Sequence, residues 1–297
     1  MKKLLFIAVT LWLTGSLSAQ ETKTATPEAG DATIEQNAAQ GQNEEAAGYR
    51  QLLRLAFNAL AADSLQQAEQ FFKQALQQAP NVAGNGLIYG QLAAIAEQTG
   101  REQLALEHYE TALRLAPDHQ SLLLSRASLY LKLGRDDRAR ADYDAVLRQR
   151  ADHPEALLMR AYTFQRARSF KEARADYQHL LRLDPTHEQA LLGLALTNNK
   201  DRRPREALDL VNRAIELYPM HADGYALRAG FEADRQQYEL AEADYTQAIR
   251  LAPKNAAYYL ARSQFYAKIK RKTLARQDAQ QALRLGATVE EVTGAMP

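Results

Sequence analysis

Alanine returns at a fixed interval through most of this chain. Ala68, Ala105, Ala139, Ala173, Ala207, Ala241 and Ala275 are separated first by 37 residues and then five times by 34. A period of that length, sustained this far, belongs to a supersecondary unit that stacks on copies of itself. Residues 154–187 display the unit as two amphipathic segments, 154–167 and 171–184, joined by a short polar turn. A helix hairpin this small leaves an apolar stripe bare on each side and needs similar neighbours to cover it. The expected fold is all-α: a solenoid of about seven helix-turn-helix units in one continuous domain without a central core.

Counting from the start of each unit, the fourth place is large and apolar or aromatic: Leu52, Tyr89, Leu123, Leu157, Leu191, Tyr225 and Tyr259. The eighth is always small: Ala56, Ala93, Ala127, Ala161, Ala195, Ala229 and Ser263. Four residues after the periodic alanine stand Phe72, Tyr109, Tyr143, Tyr177 and Tyr245, and a proline closes most units at Pro80, Pro117, Pro185, Pro219 and Pro253. Small residues let two helices approach, aromatics fill the space between successive hairpins, and proline cannot continue the second helix. This pattern resembles the tetratricopeptide repeat family over residues 49–287. The resemblance implies a right-handed superhelix, a concave wall lined by the first helix of each unit, and a protein or peptide as partner. The repeats fall near 49–85, 86–119, 120–153, 154–187, 188–221, 222–255 and 256–287.

Two departures stand out. The first interval is long because of NVAGNG, 81–86, which is expected to interrupt smooth stacking. The eleventh place, usually aromatic in the family, holds Asn198 in repeat 5 and Glu232 in repeat 6. These predict a flexible joint there, with a polar contact as the alternative.

The termini read differently. Lys2 and Lys3, the apolar run 4–13 and the small residues 15–19 have the order of a secretory signal peptide, with cleavage expected after Ala19. The apolar run is short of the roughly 20 residues of a comfortable membrane span. An uncleaved anchor is the other reading. Residues 20–48 are polar, without hydrophobic period, and are expected to form a disordered linker. Residues 288–297 are expected to be a tail or a short cap. The chain is thus expected in the periplasm, or secreted, with no integral membrane span after signal cleavage.

Composition narrows the chemistry. There is no cysteine, so disulfides, thiolate catalysis and a lipid-modified cysteine are excluded. A formal charge of +1 gives no broad attraction for nucleic acid. No HExxH, Gly-rich phosphate loop or nucleophile with a suggestive histidine is present, so neither catalytic residue nor cofactor is expected. His119, His153, His187 and His221 recur on the loops before successive first helices. Zn²⁺ ligands must lie about 2.0–2.1 Å from the ion, whereas stacked helices stand about 8–10 Å apart. All four cannot share a metal, and these residues are read as helix starts.

Two constellations remain. Arg126, Arg160, Arg228 and Arg262 occupy the seventh place of repeats 3, 4, 6 and 7, and those repeats alone have Asp142, Asp176, Asp244 and Asp278 in the twenty-third. Elsewhere the seventh place is Leu55, Leu92 or Leu194. Charges that occur in step predict an ion pair between the two helices of one hairpin. The second constellation follows from the resemblance, which places Leu124, Leu158, Tyr162, Leu192 and Leu196 on the groove wall with Lys132, Arg166 and Lys200 as a basic edge. Such a groove would suit a peptide with a few acidic groups or a free C-terminal carboxylate. The family's Lys/Asn/Arg carboxylate clamp is absent from every three consecutive repeats. Self-association through the terminal repeats is the alternative function.

Overall fold

The computed structural model describes residues 31–82 and 84–295. The expected signal peptide and residues 20–30 lie outside them. All the regular structure among the described residues is helical. The chain divides into two units, one ending at Asn81 and the other beginning at Val82, inside the Asn/Gly-rich loop.

The first unit is the hairpin of α1 (Asp31–Ala61) and α2 (Leu65–Gln78). Phe57 and Phe72 meet edge to face at 5.3 Å, and Ala56, Ala68 and Ala75 are fully buried beside them. Helix α1 begins at Asp31, so residues 31–48 are helical where a disordered linker was expected. The stretch is rich in Ala, Glu and Gln, whose intrinsic helix propensity is high, and it runs without a proline into a segment held by tertiary packing.

The second unit contains six hairpins: α3 (Asn85–Gln98) with α4 (Glu102–Leu115), α5 (Gln120–Lys132) with α6 (Asp136–Gln149), and α7 (Pro154–Arg166) with α8 (Phe170–Leu183). Then follow α9 (Glu188–Lys200) with α10 (Pro204–Leu217), α11 (Ala222–Asp234) with α12 (Tyr238–Leu251), and α13 (Ala256–Lys268) with α14 (Lys272–Arg284). Every first helix ends in one way. Gly100, Gly134, Arg168, Arg202, Gln236 and Lys270 all have positive φ, between 59° and 75°. The next amide bonds back into the helix, as from Arg101 to Ala96 at 2.8 Å and from Ser169 to Phe164 at 2.9 Å. This is the Schellman stop, for which glycine is best suited; four of the six turns use an L side chain instead.

The small residues do what their places require. Ala93, Ala127, Ala161, Ala195 and Ala229 are fully buried, as are Ala105, Ala139, Ala173, Ala207 and Ala241 facing them. Ser263 replaces alanine in the last repeat and donates to the carbonyl of Ala275 at 2.8 Å, so its hydroxyl is satisfied within the same close contact. One apolar group runs from Ala93 to Leu194. Beyond it the buried residues form three smaller groups around Val211, Tyr258 and Phe265. At this transition Asn198 and Glu232 are both buried and both bonded, Asn198 to Glu206 at 3.3 Å and Glu232 to Arg235 at 3.2 Å.

A seven-residue helix, α15 (Val289–Ala295), follows the last hairpin and packs on α13 and α14. Thr288 and Glu291 satisfy each other's backbone amides, at 2.7 and 3.2 Å, in a capping box. Val292 is buried, so the tail takes the form of a short cap. The histidines at helix starts divide: His153 and His187 accept from the amides of Ala156 and Ala190 at 3.3 Å. His221 stacks instead on Tyr218 and lies 2.8 Å from Glu188.

Candidate partner-binding face

The seventh-place arginines form the most regular polar feature of the second unit. Each grips the aspartate sixteen residues on with two nitrogens: Arg126 on Asp142 at 2.9 and 2.7 Å, and Arg160 on Asp176 at 2.7 Å twice. Arg228 holds Asp244 and Arg262 holds Asp278, each at 2.7 and 2.9 Å. The aspartates are buried and the arginines half-buried, and the hydrogen bonding of Arg160 to the Asp176 carboxylate leads the causes that keep Arg160 above the usual arginine range. Bidentate, charge-assisted contact of this kind fixes orientation as well as charge.

A third contact was not foreseen. The remaining nitrogen crosses to the second helix of the preceding repeat: Arg160 to Asp144 at 2.7 Å, Arg228 to Asn212 at 2.8 Å and Arg262 to Thr246 at 3.0 Å. Glu110, in the equivalent place, acts on Arg126 through its charge. The signal was present in the sequence. The twenty-fifth place holds Glu110, Asp144, Asn212 or Thr246 before each arginine repeat, always an oxygen acceptor; before the leucine repeats of Leu92 and Leu194 it holds Lys73 and Gln178.

The groove residues form rows along their helices. In α7, Leu158, Tyr162 and Arg166 are spaced four apart and so share a face. Leu192, Leu196 and Lys200 repeat the row in α9, and Leu124, Ser128 and Lys132 in α5. Tyr162 is 41% exposed, and the Arg166 guanidinium lies over its ring at 5.8 Å. Leu124, Leu158, Leu192 and Leu196 are only partly exposed, since each also packs against a core group. Beneath the rows, Gln165 donates to the Gly193 carbonyl at 2.9 Å and to Thr197 at 2.7 Å, tying α7 to α9.

The basic edge differs from expectation. Lys132 is paired with Glu102 at 2.6 Å and Arg166 with Asp136 at 3.0 Å, each acid standing in the seventeenth place of the preceding repeat. Two of the three cations are therefore already neutralised. Phe170 fills the seventeenth place before Lys200, which is exposed and has no such carboxylate to meet. Among the described residues no cluster of His, Asp and Glu could hold a metal ion, and no helix is long and apolar enough to cross a membrane.

Comparison with known proteins decides the family. Profiles for the tetratricopeptide repeat match residues 98–161 and, in a second form, 158–230 and 232–289. The chain belongs to the tetratricopeptide repeat family. A tetratricopeptide repeat protein of Parabacteroides merdae superposes with a TM-score of 0.78 at 24% identity, covering 84% of this chain and 98% of that one. The C-terminal part of a tetratricopeptide repeat protein from Cytophaga hutchinsonii gives 0.57 at 19% identity, with 82% and 99% covered. A thermophilic tetratricopeptide repeat protein of Thermus thermophilus gives 0.55 at 19%, over 59% and 96%. These likenesses establish the fold. No curated protein matches the sequence. The tetratricopeptide fold is that of a protein-interaction scaffold.

Proposed function

We propose that this tetratricopeptide protein is an exported, non-enzymatic scaffold that holds a partner protein or peptide on the first-helix rows of repeats 3–5, in the cell envelope or a secretion assembly. The observation that carries the reading is Tyr162. An aromatic ring exposed to 41% in the middle of a helix stack, flanked by half-exposed leucines on two neighbouring helices, is the kind of anchor on which interface energy concentrates. Export rests on the basic–apolar–small order of residues 1–19. The alternative of self-association through the last hairpin is less well supported, because α15 already buries Val292 there.

Crosslinking capture on the full chain tests the groove. A partner recovered with the native chain and lost with Tyr162→Ala plus Leu158→Asp supports it. A partner retained by that variant, or a concentration-dependent dimer and nothing else, overturns it. N-terminal sequencing tests export: a mature chain beginning at Gln20 is expected, and one beginning at Met1 would contradict it.

A further inference from the structure

The turns between the two helices of repeats 4 and 5 carry five exposed cations: Arg168, Lys171, Lys200, Arg202 and Arg205. Among the described residues none of the five side chains is ion-paired or hydrogen-bonded. The carboxylates on these turns are mostly committed elsewhere. Asp201 is held by Arg174 and by Arg203, the latter at 3.4 Å, and Glu206 lies 3.5 Å from Arg203. Only Glu172 has no cation against it. Earlier in the unit the same edge is neutralised within the chain, Lys132 by Glu102 and Arg166 by Asp136. That ladder breaks at Lys200, because Phe170 stands where the next acid would be.

The backbone adds a second observation. Arg168 and Arg202 have φ of 59° and 60°, at the places where repeats 2 and 3 have Gly100 and Gly134. These residues make the same left-handed helix stop as Gln236 and Lys270, and in repeats 4 and 5 the stop sets an arginine at the turn edge. Successive turns of a helix stack lie about 8–10 Å apart, near the Debye length of about 8 Å in physiological salt, so the five charges repel one another. Like-charge crowding that the carboxylates of these turns do not neutralise is the mark of a surface suited to a ligand of opposite charge.

Resting on the groove reading above, we infer that the bound partner segment is an acidic polypeptide stretch. Its apolar side chains seat on Leu158, Tyr162, Leu192 and Leu196, and its Asp and Glu carboxylates meet the five cations at the turn edge. The two surfaces are continuous, since Lys200 ends the row begun by Leu192 and Leu196 at the turn itself. That continuity favours a peptide. A bilayer or a phosphate backbone would use the charged turns and leave the Tyr162 row idle.

The test uses the full chain with a labelled peptide of repeating Leu-Glu-Glu and its Leu-Gln-Gln twin, read by fluorescence anisotropy. The acidic peptide is expected to bind, the amide twin about tenfold or more weakly, and added salt to weaken the acidic peptide alone. Reversing Arg168, Lys171, Arg202 and Arg205 to Glu should abolish acidic binding while helical circular dichroism is unchanged, because all four side chains are exposed. If both peptides bind equally and the Tyr162→Ala, Leu158→Asp variant loses both, the acidic-partner inference falls and the groove stands. If that groove variant binds the acidic peptide undiminished, the groove reading falls and takes this inference with it. Failure of both peptides to bind, or tighter binding of phosphatidylglycerol vesicles or a single-stranded oligonucleotide, would also overturn it.

Discussion

Arg160 reaches across a repeat boundary to Asp144, 2.7 Å away, while its other two nitrogens hold Asp176 within its own hairpin. One guanidinium thus joins three helices. Removing it leaves Asp176, a buried carboxylate, without its counter-charge, and Arg160→Leu should cost about 3–5 kcal/mol. Asp176→Leu should cost less, because the arginine keeps Asp144 and some solvent. The double variant should recover much of the loss, with a coupling of about 1–3 kcal/mol in a double-mutant cycle by urea unfolding. Strict additivity would mean that the pair is no energetic unit.

Asp144 is more open, with 39% of its side chain exposed. Asp144→Ala should therefore cost only about 0.2–1 kcal/mol. Its larger effect should be on cooperation between repeats 3 and 4, seen as earlier hydrogen exchange in α6 than in α8.

The left-handed turns give a stabilising prediction. Gln236→Gly and Lys270→Gly relieve an L residue from positive φ and should each add about 0.4–1 kcal/mol, seen as a higher Tm. Gly100→Ala should do the reverse. A Cβ at Gly100 would meet nothing within 4 Å, so that loss would be a backbone effect without any clash.

The junction of repeats 4 and 5 should be intolerant of volume. A Cβ on Gly193 would come within 2.6 Å of the Tyr177 ring, which is 2% exposed and has nowhere to move. Gly193→Ala should cost about 1–3 kcal/mol. Gln165→Leu, which removes the donor to Gly193 and Thr197, should cost about 1–3 kcal/mol. Thermal unfolding of the two variants checks both.

Burial raises the tyrosines: Tyr245 and Tyr266 to about 12, and Tyr109, Tyr143 and Tyr177 further. The unfolded chain ionises its phenols near pH 10, before the folded one does. Stability should therefore be fully present below about pH 10 and fall as pH rises through the folded values. Tyr143→Phe with Tyr177→Phe should flatten that alkaline limb, measured by urea midpoints alongside tyrosinate absorbance. An unchanged limb would count against buried tyrosines as its source.

Much of this protein could be read from period alone. The alanines from Ala105 to Ala275 marked where each second helix begins, and the co-occurrence of Arg160 with Asp176 reported a contact inside one hairpin. Such contacts are local, and a repeated sequence reports them several times over. Helix α1 before Tyr49 was missed because a polar stretch without hydrophobic period gives no packing signal, although its Ala and Glu content suits a helix. The cap was legible only as a choice, since seven residues carry too little period to decide it. What the sequence by itself determined was the hairpin, its register, its stops and its internal seam. Only the tertiary structure decided how each hairpin meets the next: that Asp144 receives Arg160, that Glu102 and Asp136 neutralise Lys132 and Arg166, and that Lys200, with Phe170 in the place of those acids, is left unpaired. The reason is geometric. Those pairings depend on the rotation and offset between stacked hairpins, which arise from how whole surfaces pack and are carried by no single local pattern.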